Sequence, residues 1–430
     1  MSVKAIMIGA GIRGAQVYAP YALQHPEQLQ FVAIAEPNIS RRTAFAEQHH
    51  IEPKHVYSDW WDVLSKPAFA DVVFICTQDR MHYEVAMQAM KMGYHVLLEK
   101  PISPLPEECL EMERAARKYD RLLTICHVLR YTPFWSSIKQ IVDKGDIGQI
   151  VNIQLRENIG YAHMAHSYVR GNWNQSETSS PIILSKSCHD LDLISWLMRQ
   201  DCERITSFGS LFHFRKENAP EGAPVYCADG CPYESTCSFV DYRYYLGEGR
   251  RRASHFTQEL SDEGILRDLR KSPYGRCVYA CDNDVVDHQI VNMQFANGAT
   301  AAFSLSAFTH DSSRIVQITG TRGEIRGDLS KQSFTVFDFS TGKQEEHHAH
   351  DEGHEGIDAM IREVCQNISG YSKNTLTSAR SSIQSHMIAF AAEESRLNYG
   401  KMIELHELVE HYLRCLPPNR SELKRMHTLR

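Results

Sequence analysis

Three glycines near the start of the chain are spaced as G-x-G-x-x-G. Gly9, Gly11 and Gly14 follow the apolar run 5–8, and the sequence predicts a helix over 15–23. In this order the first glycine permits a tight turn, the second lets the backbone approach a pyrophosphate, and the third lets the helix pack on the strand. Phosphates at a helix N-terminus are stabilised by its free N–H groups. The turn therefore predicts a dinucleotide site, with contacts from Gly9, Gly11, Ile12, Arg13 and Gly14.

A carboxylate follows the second predicted strand, over 30–35. Glu36 lies about 20 residues beyond the last glycine, where an acid accepts hydrogen bonds from the adenosine ribose hydroxyls. A carboxylate there repels a 2′-phosphate, so the sequence favours NAD over NADP. Arg41 and Arg42 lie close by and weaken that preference.

Two further predicted strands, 71–77 and 95–98, end in polar residues. Both are short apolar runs without polar alternation, which is typical of buried parallel strands. Ligands bind outside the carboxyl ends of the strands in open α/β sheets. We therefore expect further cofactor contacts from Thr77, Asp79, His82 and Glu99.

Lys100 stands at the end of the second of these strands. It follows Glu99 and precedes Pro101, which restricts its backbone. A lysine in this place could hold a substrate hydroxyl and help to move its proton, especially where burial lowers its pKa. The alternative is a surface Lys–Glu pair.

The composition predicts an ordinary soluble protein with two domains. The chain has 430 residues, is 43% hydrophobic and carries a net charge of −7, which argues against nucleic acid and membrane surfaces as partners. It contains no apolar run of about 18 residues and no N-terminal signal pattern, so we expect a cytoplasmic location. In a reducing compartment the 12 cysteines would be free thiols or metal ligands.

Together the glycine turn, the acid after the second strand, the 77–82 turn and Glu99-Lys100-Pro101 resemble the glucose–fructose oxidoreductase / inositol dehydrogenase / rhizopine-catabolism (Gfo/Idh/MocA) family. The resemblance covers most of the chain except roughly residues 215–284. Its further motifs lie at residues 144–153, 170–173, 188–192 and 354–358.

The resemblance implies an α/β Rossmann domain over 1–125, followed by an α+β domain with a large open, mostly antiparallel sheet over 126–400 and a tail over 401–430. Members are typically NAD(P)-dependent and oxidise or reduce a secondary alcohol of a sugar, inositol or related polyol. By resemblance, Lys100 binds the reacting hydroxyl and His189 is the acid/base. His189 precedes a predicted helix over 191–197, whose dipole would lower the imidazole pKa.

One family position differs. The aspartate expected four residues before His189 is Ser185, and Lys186 adds a positive charge beside it. Lys186 is either a solvated side chain, as charged residues usually are, or it binds an anionic substrate group, or it takes over part of the proton transfer.

The stretch 161–173 has the composition of a sugar site. Aromatic side chains cover ring faces, while histidine and arginine bind hydroxyls or an acid group. With Lys186, the predicted substrate-binding residues are Tyr161, His163, His166, Arg170 and Trp173. His163 and His166 could instead form a metal pair.

Four later segments are predicted antiparallel strands: 204–214, 285–295, 300–308 and 314–319. Asn297-Gly298 between the middle two is a strong hairpin signal. A sheet of this size with helices on one face leaves the other face to be covered. We therefore expect a homodimer or homotetramer.

The segment 215–284 is rich in cysteine. Two C-x-x-x-C pairs and a polar stretch with little predicted core suggest a structural zinc, which takes four thiolate or imidazole ligands. An iron–sulfur cluster, free thiols and disulfides are the alternatives. The candidate ligands are Cys227, Cys231, Cys237, Cys277 and Cys281.

Three functions remain open from sequence. The first is an NAD-dependent oxidoreductase acting on a secondary alcohol of a sugar, cyclitol or glycoside. The second is an NAD-dependent glycosidase or lyase that uses transient oxidation at C3 followed by elimination. The third is a non-catalytic NAD or sugar sensor, because fold does not fix function.

Overall fold

Two β-sheets organise the computed structural model, which describes residues 2–351, 353–370 and 374–416. The strands are β1 Val3–Ile8, β2 Leu29–Ala35, β3 Val56–Tyr57, β4 Val72–Ile75, β5 His95–Leu98, β6 Leu123–Ile125, β7 Ile150–Asn158, β8 Cys202–Ser210, β9 His288–Phe295, β10 Thr300–Ser306, β11 Ser313–Gly320, β12 Gly323–Asp328, β13 Ser333–Asp338, β14 Gln344–His348 and β15 Ile403–Glu404. The α-helices are α1 Pro20–Gln24, α2 Ile39–Gln48, α3 Trp60–Leu64, α4 His82–Lys91, α5 Pro106–Tyr119, α6 Pro133–Lys144, α7 Tyr161–Met164, α8 Ile182–Ser185, α9 Cys188–Met198, α10 Asp241–Leu246, α11 Asp262–Leu269, α12 Glu355–Ile368, α13 Ala379–Leu397 and α14 Leu405–Cys415.

The first sheet has six parallel strands in the order β3-β2-β1-β4-β5-β6. Every residue of β4 is buried, as its continuous apolar sequence requires. The strand order reverses between β1 and β4, which opens a crevice at the carboxyl ends of the strands. The predicted Rossmann domain is confirmed, and the glycine turn, Thr77 and Lys100 all lie at this edge.

The second sheet has nine strands in the order β14-β13-β12-β11-β7-β10-β9-β8-β15. Strands β7 and β10 pair parallel, and the other neighbours are antiparallel, which confirms the predicted large, mostly antiparallel sheet. Asn297 and Gly298 form the turn between β9 and β10, and Gly298 has a φ of +84°. Such a positive φ is readily adopted by glycine.

The outer face of this sheet carries apolar side chains. Phe208 and Ile290 pair across β8 and β9 and are 52% and 46% exposed. Helix α13 packs on the opposite side of β8. Its Ser395 hydroxyl accepts a hydrogen bond from Ser207 N at 2.9 Å. A homodimer or homotetramer built on the outer face stays a prediction.

The C-terminal part of the chain returns to the first domain. Met360, Ile361 and Val364 of α12 belong to the same apolar cluster as Ala5 and Phe74 of the Rossmann sheet. Beyond residue 400, in the stretch expected to be a tail, the chain forms β15 and α14. Leu405 and Leu408 are buried and lie on the side of α14 that faces the protein. The basic stretch 417–430 lies outside the described residues.

The cysteine-rich insertion has a small core of its own, contrary to the expectation from its polar sequence. Tyr245, Ala253, Ile265, Leu269 and Tyr274 form a separate buried cluster between α10 and α11. Across the part of the chain that the structure describes, no group of three or more His, Cys, Asp or Glu side chains is arranged to hold a metal ion. The expected zinc site among the five cysteines is therefore not shown, nor is an iron–sulfur cluster, and the apolar cluster gives the insertion a core that its sequence did not predict.

Within the same described ranges, no helix has the length and apolar character needed to cross a membrane.

Candidate active site

The turn after β5 places Lys100 between the two domains. Its Nζ donates a hydrogen bond to the main-chain oxygen of Ser185 at 2.6 Å. The carboxylate of Glu99 accepts hydrogen bonds from Lys100 N at 2.9 Å, from Arg13 Nε at 2.6 Å and from the hydroxyl of Tyr18. Glu99 therefore connects the glycine turn to the backbone of Lys100, which orients the ammonium group toward the second domain.

Glu99 stays ionised although it is buried. Burial alone would raise the pKa of its carboxyl, but Arg13 and Lys100 outweigh that effect and lower the pKa to about 2. A buried carboxylate that accepts a hydrogen bond from a guanidinium and lies near an ammonium group retains its ionisation.

We expect Glu99→Gln to destabilise the protein at neutral pH. The folded-state pKa of Glu99 lies below its ordinary value, so its contribution is present above about pH 4.3 and is lost as the pH falls toward 2. The difference in free energy of unfolding from the wild type should be up to about 3 kcal/mol at pH 7. It should shrink below about pH 4.3, measured by urea unfolding at several pH values.

Glu52→Gln is the matched control, because Glu52 forms an exposed ion pair with Lys54 at 2.7 Å. An exposed pair of this kind contributes about 0–1 kcal/mol. A pH-independent loss in Glu99→Gln would contradict the ionised state of Glu99.

His189 lies in the first turn of α9, four residues after Ser185, whose main-chain oxygen binds Lys100. Its Nδ1 is buried and has no hydrogen-bond partner in the described structure. Burial, followed by Lys100 and His127, lowers the pKa of the His189 imidazole well below its usual range. The predicted neutral imidazole thus arises mainly from burial and the lysine charge. A neutral imidazole beside an ammonium group can accept a proton from a hydroxyl that the ammonium binds.

His127, which sequence reasoning missed, lies behind His189. Its ring centroid is 5.4 Å from that of His189 and 5.5 Å from that of His386. Its Nδ1 is 3.9 Å from Asp192 Oδ2, and Arg130 binds Asp192 with two hydrogen bonds of 2.6 and 2.7 Å. His127 follows β6, so its position after the next parallel strand was the available signal.

Ser185 contributes its backbone to the site. Its hydroxyl donates to Pro181 O at 3.3 Å, and the side chain is buried. The main-chain oxygen of Ser185 binds Lys100, whereas the family pattern has an aspartate carboxylate at this position. The ammonium group therefore faces a neutral acceptor, and a substrate oxygen can join it without displacing a counter-ion.

Lys186 belongs to a buried group of four charges with Glu157, Asp190 and Arg314. Lys186 Nζ is 3.1 Å from Glu157 Oε1, while Arg314 Nε is 2.9 Å from Glu157 Oε2 and 2.7 Å from Asp190 Oδ1. Burial lowers the pKa of Lys186 and raises that of Asp190 to about 6. The interpretation of Lys186 as a solvated side chain is wrong, because its ammonium group forms an ion pair with Glu157.

Removal of Arg314 should strongly destabilise the fold. Arg314→Met leaves two buried carboxylates with a single buried lysine, and breaking a buried pair in this way costs about 3–5 kcal/mol. Arg326→Met on the adjacent strand β12 is the control, because Arg326 is 61% exposed and pairs with Glu324. That change should cost at most about 1 kcal/mol. Urea unfolding measures both, and equal losses would contradict the assigned burial.

The glycine turn has the form that a bound pyrophosphate requires. Gly9 has a φ of +90°, and a Cβ there would lie 2.6 Å from Cys76 O. A Cβ at Gly14 would overlap the main-chain oxygen of Gly9, whereas a Cβ at Gly11 would meet no atom within 4 Å. The backbone at Gly11 is therefore open to a ligand. The following segment, Ile12–Tyr18, is a π-helix that leads into α1.

Glu36 holds the turn from the neighbouring strand. Its two carboxylate oxygens accept hydrogen bonds from Ala10 N at 2.7 Å and Asn38 N at 2.9 Å. Arg42 donates to the main-chain oxygens of Glu36 and Pro37. The guanidinium of Arg42 is thus committed to the backbone, which removes one reason to expect a 2′-phosphate.

The polar residues after β4 contact protein groups. His82 is fully buried, its Nδ1 donates to Pro101 O at 2.7 Å, and its Nε2 is 3.3 Å from Thr77 O. Asp79 accepts hydrogen bonds from Ser180 at 3.1 Å and from Ser179 at 3.3 Å. The structure therefore places His82 and Asp79 beneath the predicted cofactor edge, where they support the lysine turn and the domain contact.

Thr77 and Trp173 complete that region. The hydroxyl of Thr77 is buried without a hydrogen-bond partner among the described residues. The indole of Trp173 donates to Asp79 Oδ1 at 3.5 Å, so Trp173 crosses from the second domain to the first.

Three of the predicted substrate residues instead hold the cysteine-rich insertion. His166 hydrogen-bonds Tyr245 at 2.7 Å through its Nδ1 and stacks on Tyr274 at 4.9 Å. Arg170 donates to the main-chain oxygens of Arg276 and Phe239, each at 2.7 Å. The ring of Tyr161 packs edge-on against that of Phe239 at 6.2 Å. His163 remains partly exposed, and the described residues give His163 and His166 no third metal ligand.

Sequence comparison connects this geometry to known proteins. The model for the oxidoreductase family with an NAD-binding Rossmann fold matches residues 3–127, and the model for its C-terminal alpha/beta domain matches residues 139–399. The chain belongs to the Gfo/Idh/MocA oxidoreductase family. Its first domain is an NAD-binding Rossmann domain.

Individual relatives are distant. YteT of Bacillus subtilis, which is named as an oxidoreductase, is 23% identical over 67% of this chain and 68% of its own length. A D-glucoside 3-dehydrogenase of Escherichia coli is 30% identical over 34% of this chain and 41% of its own length. A levoglucosan dehydrogenase solved with NADH and levoglucosan is 17% identical and superposes with a TM-score of 0.71, covering 94% of this chain and all of that one. At this identity the superposition shows the fold alone.

Proposed function

We propose that this protein is an NAD-dependent oxidoreductase that acts on a secondary alcohol of a sugar, cyclitol or glycoside. The observation that supports it most is the position of Lys100 beside the glycine turn, where Glu99 and Ser185 O hold it and its charge lowers the pKa of buried His189. Family membership supports the reaction class, and the similarity to a D-glucoside 3-dehydrogenase supports a carbohydrate substrate.

The crevice fits a dinucleotide. The open backbone at Gly11 would meet the pyrophosphate, and the carboxylate of Glu36 would face the adenosine ribose. When bound there, NAD supplies the hydride acceptor, and the redox chemistry is its own. The chain's contribution is to bind, orient and deprotonate the alcohol.

Proton transfer follows from the two side chains. The Lys100 ammonium donates a hydrogen bond to the substrate hydroxyl and stabilises the negative charge that develops on its oxygen. Neutral His189 accepts the hydroxyl proton as the carbon becomes a carbonyl. In the reverse direction His189 returns the proton and Lys100 polarises the carbonyl. Ser185 O and the Glu99 carboxylate hold Lys100 in place in both directions.

The test is a panel of free sugars, inositols, sugar acids and aryl glycosides with NAD, followed by NADH absorbance. Formation of NADH in proportion to the oxidised sugar supports the proposal. Similarity to a glucoside 3-dehydrogenase also keeps redox-neutral glycoside cleavage as a second candidate, which would release the aglycone without net NADH. Tight binding of NAD and a sugar with no turnover of either kind would support the sensor instead.

A further inference from the structure

One arginine of the cysteine-rich insertion, Arg252, is half-buried and yet has no partner for its guanidinium among the described residues. Arg250 pairs with Asp262 at 2.6 Å, Arg267 with Asp268 at 2.9 Å and Arg276 with Asp282 at 2.7 Å. The guanidinium of Arg252 makes no hydrogen bond or ion pair with any described residue, and its Nη1 is buried. A half-buried cation without a counter-charge is unfavourable unless an anion completes it.

The backbone around Arg252 is firmly placed. It lies in the 3₁₀ helix Arg250–His255, which begins after Gly249. A Cβ at Gly249 would overlap the ring of Tyr244, so a glycine is needed for this close approach. Arg250 donates to Leu246 O at 2.9 Å, and His255 packs against His166 with ring centroids 5.0 Å apart. The helix is thus held to both α10 and the 161–170 segment, which fixes the position of Arg252.

The groups around Arg252 are neutral donors and acceptors. Burial lowers the pKa values of His163, His166 and His255, and the charge of Arg252 lowers them further. These imidazoles are therefore uncharged at neutral pH. Glu248, the acid nearest in sequence, is exposed and forms no ion pair with Arg252. The surroundings can hydrogen-bond a ligand but do not neutralise the guanidinium.

His163 connects this position to the reacting groups. Its ring centroid is 6.1 Å from that of Tyr168, which is 6.4 Å from that of Trp173 at the contact between the two domains. The charges of Lys186 and Arg252 both lower the pKa of its imidazole. Lys186 follows Ser185, whose main-chain oxygen binds Lys100. Glu157 and Asp190 pair with Lys186 and Arg314, so Arg252 is the cation near His163 that has no carboxylate partner among the described residues.

We propose that Arg252 binds an anionic group of the substrate at a distance from the reacting hydroxyl, which makes a sugar acid such as a hexuronic acid the substrate class. This inference rests on the proposed oxidoreductase function. The planar guanidinium matches a carboxylate through two parallel hydrogen bonds, and a charge-assisted contact of this kind discriminates strongly against a neutral sugar. The same chemistry would also suit a phosphate of the dinucleotide, so the experiment separates the two sources.

The experiment compares Arg252→Gln with the wild type and with Arg251→Gln, which removes an exposed arginine from the same helix. Circular dichroism and the thermal midpoint check that each variant folds. Calorimetry with the NADH-loaded protein measures binding of glucuronate, galacturonate and their neutral parent sugars. NADH fluorescence measures cofactor binding, and NADH absorbance measures turnover with NAD.

For Arg252→Gln we expect a loss of about 10- to 100-fold in affinity and in kcat/KM for the sugar acids, with about twofold change or less for neutral sugars. Arg251→Gln should behave as the wild type. Equal losses for acids and neutral sugars, or weaker NADH binding with no preference between sugars, would overturn the proposal. Arg252-dependent binding of a sugar acid without NADH formation would retain the anion site and reject the oxidoreductase function. NADH formation with no acid preference would do the reverse.

Discussion

Replacement of Lys100 by methionine is expected to lower kcat by about 10³-fold, with little change in NAD affinity. Methionine preserves much of the volume of the lysine side chain but donates no hydrogen bond to the substrate hydroxyl. The loss combines about 10²- to 10⁴-fold from proton handling with the loss of charge stabilisation on the reacting oxygen. The measurement is NADH formation at saturating NAD, with NADH binding followed by fluorescence.

Lys118→Met is the control for this change, because Lys118 is an exposed lysine on α5. It should retain wild-type turnover. Full turnover by Lys100→Met would contradict both catalytic hypotheses, since the redox-neutral glycosidase also needs the C3 hydroxyl to be bound and deprotonated.

Replacement of His189 by asparagine is the second large expected effect. Asparagine can hydrogen-bond but cannot accept the proton, so kcat for alcohol oxidation should fall about 10²- to 10⁴-fold. Burial and the neighbouring Lys100, His127 and Arg314 lower the pKa of His189. The wild-type imidazole is therefore already neutral at pH 6.5, and its contribution should be lost only as the pH falls through that lowered pKa.

The pH dependence of the rate is a second measurement of the role of His189. In the wild type, titration of His189 should leave kcat/KM for oxidation level from about pH 8 to below pH 6.5, the ordinary histidine pKa. The rate should fall only at lower pH, where His189 becomes protonated. In His189→Asn this fall at low pH should disappear, together with most of the rate. His411→Asn, at an exposed position on α14, should leave both unchanged. A wild-type rate that halves near pH 6.5 and an unaffected His189→Asn variant would contradict the role of His189.

The sequence was most informative where function depends on local backbone. The glycine turn, Glu36 and Lys100 each stand at a strand end, and strand ends can be predicted from short apolar runs. The parallel sheet then brings those ends to one edge, so their proximity followed from fold class alone. The same rule extends to His127, which follows β6 at the same edge of the sheet.

Other parts of the site depended on contacts between distant segments. Glu157, Lys186 and Arg314 come from three separate elements, and a single sequence does not indicate that their charges meet. His166 and Arg170 were assigned to substrate because their residue types suit a sugar. The same residue types also suit a polar interface, and the insertion forms hydrogen bonds with both side chains.

The insertion shows a similar limit. Two C-x-x-x-C pairs predicted a zinc site because the sequence around them is charged and has few apolar runs. The stabilising contacts come from isolated aromatic residues, including Tyr245 and Tyr274, that are separated in sequence and converge only in the folded chain. The core of this segment was therefore harder to predict than that of the Rossmann half, where the strand and the turn are adjacent.

Proton transfer by Lys100 and His189 is tested most sharply by single-turnover NADH formation in the wild type, Lys100→Met and His189→Asn, at saturating NAD and the best substrate of the panel. We expect rapid NADH formation by the wild type and a loss of at least about 100-fold in each variant, while NADH affinity stays within about twofold of the wild type. Single-turnover rates in both variants equal to that of the wild type would show that this lysine and histidine do not perform the proton transfer.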